Sequence, residues 1–93
     1  MEIRIDPHTW ERAEERGTNV QEIKDVIHSG FPIPARYDRW GKAKVYDFRQ
    51  QRHGKYYEQK RVEVIYAIEE GSIVTVTVYV FYGQWEEPDA HSV

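Results

Sequence analysis

VEVIYAIEEGSIVTVTVYVFY, residues 62–82, is the stretch on which the fold turns. Two runs rich in β-branched and aromatic residues, 62–68 and 72–82, flank Glu69-Glu70-Gly71, a pattern that folds as a β-hairpin. Side chains alternate along a strand. Val74, Val76, Val78 and Val80 therefore share one face, and Ile73, Thr75, Thr77, Tyr79 and Phe81 the other. The valine face is expected to receive the helices, leaving the Thr/Tyr face to solvent or a partner. Beyond the hairpin, residues 83–93 show no periodicity and end acidic, so they read as a mobile tail.

Upstream, QQRHGKYYEQK (50–60) is polar, contains Gly54, and reads as a loop or the frayed end of a hairpin. From Arg36 to Arg49 the pattern alternates around an expected turn at Trp40 and Gly41, with Val45, Tyr46 and Phe48 in the strand that follows. FPIPAR (31–36) cannot be helical, because its prolines remove backbone donors and push their predecessors to extended conformations; it is a connector entering a sheet edge. Two helices precede it. Asp6 is a suitable N-cap, Pro7 fits the first helical position and Gly17 supplies a left-handed stop. Asn19 and Glu22 resemble a capping box, and Val20, Ile23, Val26 and Ile27 recur at helical spacing up to Gly30. Ile3 and Ile5 mark a short first strand. The order β-α-α-β-β-β predicts a single α+β domain, with two short N-terminal helices packed on one face of an antiparallel sheet of about four strands.

At 93 residues the chain can close one hydrophobic core and no second. Thirteen Lys and Arg against sixteen Asp and Glu give a net charge of −3, which argues against nucleic-acid binding by bulk charge. The charge is segregated, however: −3 over residues 1–30, +6 over 31–61 and −6 over 62–93. Without cysteine there are no disulfides, thiolate chemistry or cysteine-based zinc sites. His8, His28, His53 and His91 show no ligand spacing, so no metal is expected, and His28 beside Ile27 reads as structural. A P-loop, a glycine-rich dinucleotide turn and a G-x-S-x-G motif are all missing, so no cofactor is expected. There is neither a basic region followed by an apolar stretch at the N-terminus nor an apolar run near the roughly 18 residues of a membrane span. A cytoplasmic, membrane-free protein is the expectation.

Two constellations could carry chemistry. His8, Arg12 and Arg16 lie at i, i+4 and i+8, which puts an imidazole and two guanidiniums on one helical stripe. A neutral imidazole beside a phosphate can take a proton from a ribose 2′-hydroxyl while arginines stabilise the developing charge, with no metal required. Glu11, Glu14 and Glu15 offer the other reading, a helix that only pairs its own charges. The second constellation is the basic middle third, where Tyr37, Trp40, Tyr46, Tyr56 and Tyr57 interleave with Arg and Lys. Bases of single-stranded RNA stack on such rings while the cations meet phosphates. Lys44, Arg52, Lys55, Tyr57 and Lys60 are the candidate RNA contacts. The alternative is that these are solvated strand edges and packing aromatics.

The run His8-x-x-x-Arg12-x-x-x-Arg16-Gly17, the capped helix ending at Gly30, the hairpin around Gly41 and the final strand with Thr77-Val78-Tyr79 resemble a family of small bacterial domains. These are similar to BrnT-type and, more distantly, RelE/ParE-type toxins of type II toxin–antitoxin systems, over roughly residues 3–82. The resemblance implies a RelE-like fold, a metal-independent endoribonuclease that inhibits translation by acting on RNA or at the ribosome, and a cognate antitoxin protein. It carries His8, Arg12, Arg16 and Tyr79 over as site residues. The acidic last third departs from such basic toxins, and it counts against affinity for ribosomal RNA. If the helices cover the valine face, Tyr79 points away from them, which makes Tyr79 and Lys44 secondary contacts. The competing expectation is a non-catalytic interaction module, for example a homodimer, using the Thr/Tyr face with Phe81 and Trp85.

Overall fold

The computed structural model describes residues 1–85. Seven elements follow in order: β1 (Ile3–Arg4), α1 (Pro7–Arg16), α2 (Val20–Ser29), β2 (Phe31–Ile33), β3 (Trp40–Arg52), β4 (Lys55–Glu69) and β5 (Ser72–Gly83). The strands form one sheet in the order β1-β5-β4-β3-β2, antiparallel except for the β1–β5 pair. Both helices pack on one face, so the α+β architecture matches expectation. A short edge strand, β2, is added where a connector was expected, with Pro32 at the sheet margin where its missing N–H does least harm.

Both helix starts follow from their sequences. The Asp6 carboxylate accepts the Thr9 N–H at 2.8 Å, and the Asn19 side chain accepts the Glu22 N–H at 2.9 Å. Gly17 ends α1 at φ 92°, in the left-handed region that glycine enters without penalty. The apolar stripes then meet in one core: Ala13, Ile23, Val26 and Ile27 from the helices against Val62, Val64, Tyr66, Ile73 and Val78 from the sheet.

Three expectations change. The 50–60 segment is not a loop: β3 and β4 pair down to Arg52 and Lys55, and only His53-Gly54 turns, both at positive φ as a tight hairpin requires. Trp40 and Gly41 are not a turn but the start of β3; the chain reverses earlier, at Tyr37-Asp38. Gly41 is buried there, and a side chain in its place would press on Ile33 of β2.

The third change concerns the valine face. Ile65 pairs with Thr77 but Tyr66 pairs with Thr75, so Val76 is an extra residue, a β-bulge that switches the faces of β5. Val78 and Val80 do pack with the helices, but before the bulge it is Ile73 and Thr75 that do so. Val74 and Val76 fall on the helix-free face instead, with Thr77, Tyr79 and Phe81. Of the expected tail, Gly83 closes β5 and the Trp85 N–H donates to the Gln59 side chain at 2.6 Å. Residues 86–93 lie outside the described ones. Among the described residues, no helix is long and apolar enough to cross a membrane.

Candidate functional site

Arg16 links α1 to the open side of the sheet. β1 pairs only with Ile73 and Val74, so among the described residues the outer margin of β5 beyond them carries no strand. Arg16 lies along that margin, donating to the Val78 carbonyl at 2.6 Å, and its guanidinium sits 5.2 Å from the centre of the Tyr79 ring. Tyr79 in turn stacks on Phe81, with ring centres 6.4 Å apart, and both are exposed. The structure thus brings Arg16 and Tyr79 together although they start from opposite faces. Arg12 is on the same helical stripe and pairs with Glu15 at 2.7 Å. An exposed i,i+3 pair of this kind contributes at most about 0.5 kcal/mol and releases its arginine readily. His8 is exposed in the first turn of α1, about 12 Å from Arg16 along the axis at the helical rise.

Three other expected contacts hold the fold together. Lys60 is buried, donates to the Gly17 carbonyl at 2.9 Å and pairs with Glu22 at 2.9 Å, while the Thr18 hydroxyl donates to Glu22 at 2.7 Å. Arg52 donates to the Glu15 carbonyl at 2.8 Å. With the Tyr82 hydroxyl on the Arg16 carbonyl at 2.6 Å, side chains from three strands satisfy the carbonyls that end α1. The positive charges of Arg52 and Lys60 also suit the negative end of the helix dipole. Lys44 is on the helix side, bonded at 2.7 Å to Asp25, which also accepts the Tyr46 hydroxyl at 2.6 Å. Those two hydrogen bonds pull the Asp25 carboxyl down to about 2, while burial and the bond to Asp25 push the Tyr46 phenol well up.

Lys55 and Tyr57 sit together, the ammonium 5.6 Å from the ring centre. They line a groove of about 440 Å³ with Tyr56, Glu58 and Tyr82 at the β3–β4 turn. His28 is exposed on α2 and His53 is exposed in that turn.

A second concavity, of about 360 Å³, lies on the helix-free face. The β2–β3 connection lines it with Arg36, Tyr37 and Arg39, β4 with Ile65, and β5 with Val76, Thr77 and Tyr79. Of these, the sequence points to Tyr79 as a site residue and to Tyr37 as one of the rings interleaved with the basic middle third. The signal was present in the Arg36-Tyr37-x-Arg39 spacing, but only the early turn and the bulge at Val76 bring that segment to Tyr79.

A two-helix α+β domain with arginines and tyrosines gathered on the uncovered side of its sheet is the class that fold and site define. The chain belongs to the family described as a domain of unknown function, DUF4258, whose pattern it matches over residues 5–80. No curated protein and no solved structure matches it. The matched span contains α1 with its stripe and β5 through Val80.

Proposed function

We propose that the chain is a toxin-like, metal-independent endoribonuclease acting on single-stranded RNA along the outer margin of β5. The observation that carries this reading is Arg16, which joins the His8–Arg12–Arg16 stripe to Tyr79 on the open face. His8 accepts the proton of a ribose 2′-hydroxyl, whose oxygen attacks the adjacent phosphorus. The bond from phosphorus to the 5′-oxygen breaks, that oxygen takes a proton from water, His8 returns its own proton to water, and a 2′,3′-cyclic phosphate remains. Arg12, one turn from His8, offsets the charge on the pentacovalent phosphorane, and Arg16, a further turn along, holds the neighbouring phosphate of the strand beside Tyr79. Lys55 and Tyr57 extend the RNA path. Lys44, Arg52 and Lys60 support it from within by fixing the helices. In this reading the protein works in the bacterial cytoplasm, and a small cognate antitoxin neutralises it by binding.

The test is to map RNA ends after incubation with wild type and His8→Ala, on naked RNA and in a translating extract. Wild type is expected to leave cyclic-phosphate ends, and His8→Ala to lose at least about 100-fold in rate with an unchanged circular dichroism spectrum. Full activity in His8→Ala would remove the mechanism.

The outer margin of β5, unpaired among the described residues and next to the exposed Tyr79–Phe81 stack, favours a second reading. Here the chain is a non-catalytic interaction module that dimerises by adding β5 of a second copy at this margin. Sedimentation decides: a tight dimer without RNA cleavage supports it, and a monomer at high concentration removes it.

A further inference from the structure

The cleft on the helix-free face has the features of a ligand site; it shares Tyr79 with the proposed catalytic margin, while Arg36, Tyr37, Arg39 and Thr77 have no part in catalysis. We propose that it is a subsite for one nucleotide unit, a base bearing a phosphate, with Tyr37 and Tyr79 contacting the base and Arg36 and Arg39 the phosphate. The ligand chemistry rests on the ribonuclease reading; the site itself rests on four observations.

Size is the first. At about 360 Å³ the cleft lies near the lower end of small-molecule sites, roughly 300–1,000 Å³, a size that suits one nucleotide unit. Shape is the second. The extra residue at the β5 bulge lets consecutive side chains, Val76 and Thr77, both line the cleft, giving an apolar group beside a hydroxyl where a regular strand would turn one away.

The third is Tyr37. The residue is 92% exposed, and its backbone is at φ 60°, a region few residues other than glycine adopt. A large ring held in water by an unfavourable backbone is the arrangement expected where a side chain is kept ready for a partner. Charge is the fourth. Arg12, Lys44, Arg49, Lys60 and Arg61 each have a carboxylate within ion-pair distance, and Arg16 and Arg52 donate to backbone carbonyls; Arg36 and Arg39, side by side at one cleft, do neither among the described residues. Two arginines beside two tyrosines offer charge-assisted bonds to a phosphate and flat surfaces for a base.

Isotope-labelled full-length protein is titrated with 5′-AMP, adenosine, inorganic phosphate and a short single-stranded oligoribonucleotide, and the amides of Thr77 and Tyr79 are followed by NMR. Saturable shifts with 5′-AMP are expected, with adenosine and phosphate at least tenfold weaker. Arg36→Gln/Arg39→Gln, exposed changes that leave the fold intact, should weaken 5′-AMP binding at least tenfold, while Lys24→Gln on the distant α2 surface should leave it unchanged. An oligoribonucleotide that binds tighter than 5′-AMP assigns the site to an RNA chain; equal or weaker binding assigns it to the free nucleotide. Unshifted Thr77 and Tyr79 amides with both ligands, equal binding by the double variant, or adenosine as tight as 5′-AMP would overturn the proposal. Cleavage is measured separately, so cleft binding without cleavage removes the nuclease reading and leaves the subsite standing.

Discussion

Lys60, Arg52 and Tyr82 at the end of α1, and Arg36, Arg39, Tyr37 and Tyr79 on the helix-free face, are nearly the same set of residue types in opposite states. In the first group each polar head is bonded to a backbone carbonyl of the Glu15–Gly17 turn, and Lys60 is also sealed against Glu22. In the second the two arginines lack carboxylate partners among the described residues, and Tyr37 stands in solvent. The basic middle third of the sequence supplies cations to both groups, so a local excess of positive charge says little about binding. Which backbone groups the fold leaves unsatisfied decides which cations are consumed internally.

The largest expected effect tests that contrast directly. Lys60→Ala removes the cation from a partly buried Glu22 carboxylate and strands the Gly17 carbonyl, and should cost about 2–3 kcal/mol of stability. Arg36→Gln/Arg39→Gln should change stability by less than about 0.5 kcal/mol. Urea unfolding of the three proteins measures both. If the two variants cost the same, the division into fastening and open cations is broken.

How far the sequence disclosed this division differs from element to element. The helix caps at Asp6 and Asn19, the stop at Gly17 and the final hairpin were legible because each depends on local chemistry that a few residues dictate. The internal use of Lys60 and Arg52 was not, because their acceptors are carbonyls more than 35 positions away. The face assignment of β5 failed at Val76, since a bulge is set by pairing with β4 and leaves an unbroken alternating pattern in the sequence. Tyr79 was found as a residue type on the right strand; its neighbours Arg36 and Arg39 depend on where the chain reverses, and the turn lies at Tyr37-Asp38 and not at Trp40-Gly41.

Asp25, between the two extremes, sharpens the comparison through pH. Its hydrogen bonds from Lys44 and Tyr46 place its folded-state pKa at about 2, below the ordinary 3.8. A carboxylate depressed on folding stabilises fully above its unfolded pKa and loses that contribution as pH falls through the folded one. The carboxylate is two-fifths exposed, so screening by water reduces the effect to about 1 kcal/mol. Wild type should therefore exceed Asp25→Asn in stability by about this amount at pH 5, and the gap should close between pH 4 and pH 2. A gap that stays constant across that range would show that Asp25 is a spectator at the α2–β3 contact.

The smallest effect has the opposite sign. Thr9 and Thr75 are both buried where α1 meets β5, yet only one hydroxyl is used: Thr75 accepts the Asp6 N–H at 3.1 Å, while the Thr9 hydroxyl has no partner among the described residues. A buried hydroxyl without a hydrogen bond carries its desolvation cost uncompensated, and valine fills the same volume without it. Thr9→Val should raise stability by about 0.5–1 kcal/mol, whereas Thr75→Val, which orphans the Asp6 amide, should lower it by about 1–2 kcal/mol. Unfolding midpoints of the two variants must move in opposite directions. Movement in the same direction would mean that the Thr9 hydroxyl does bond in solution, and that the α1–β5 contact resembles the saturated turn at Gly17 more than the open face across the sheet.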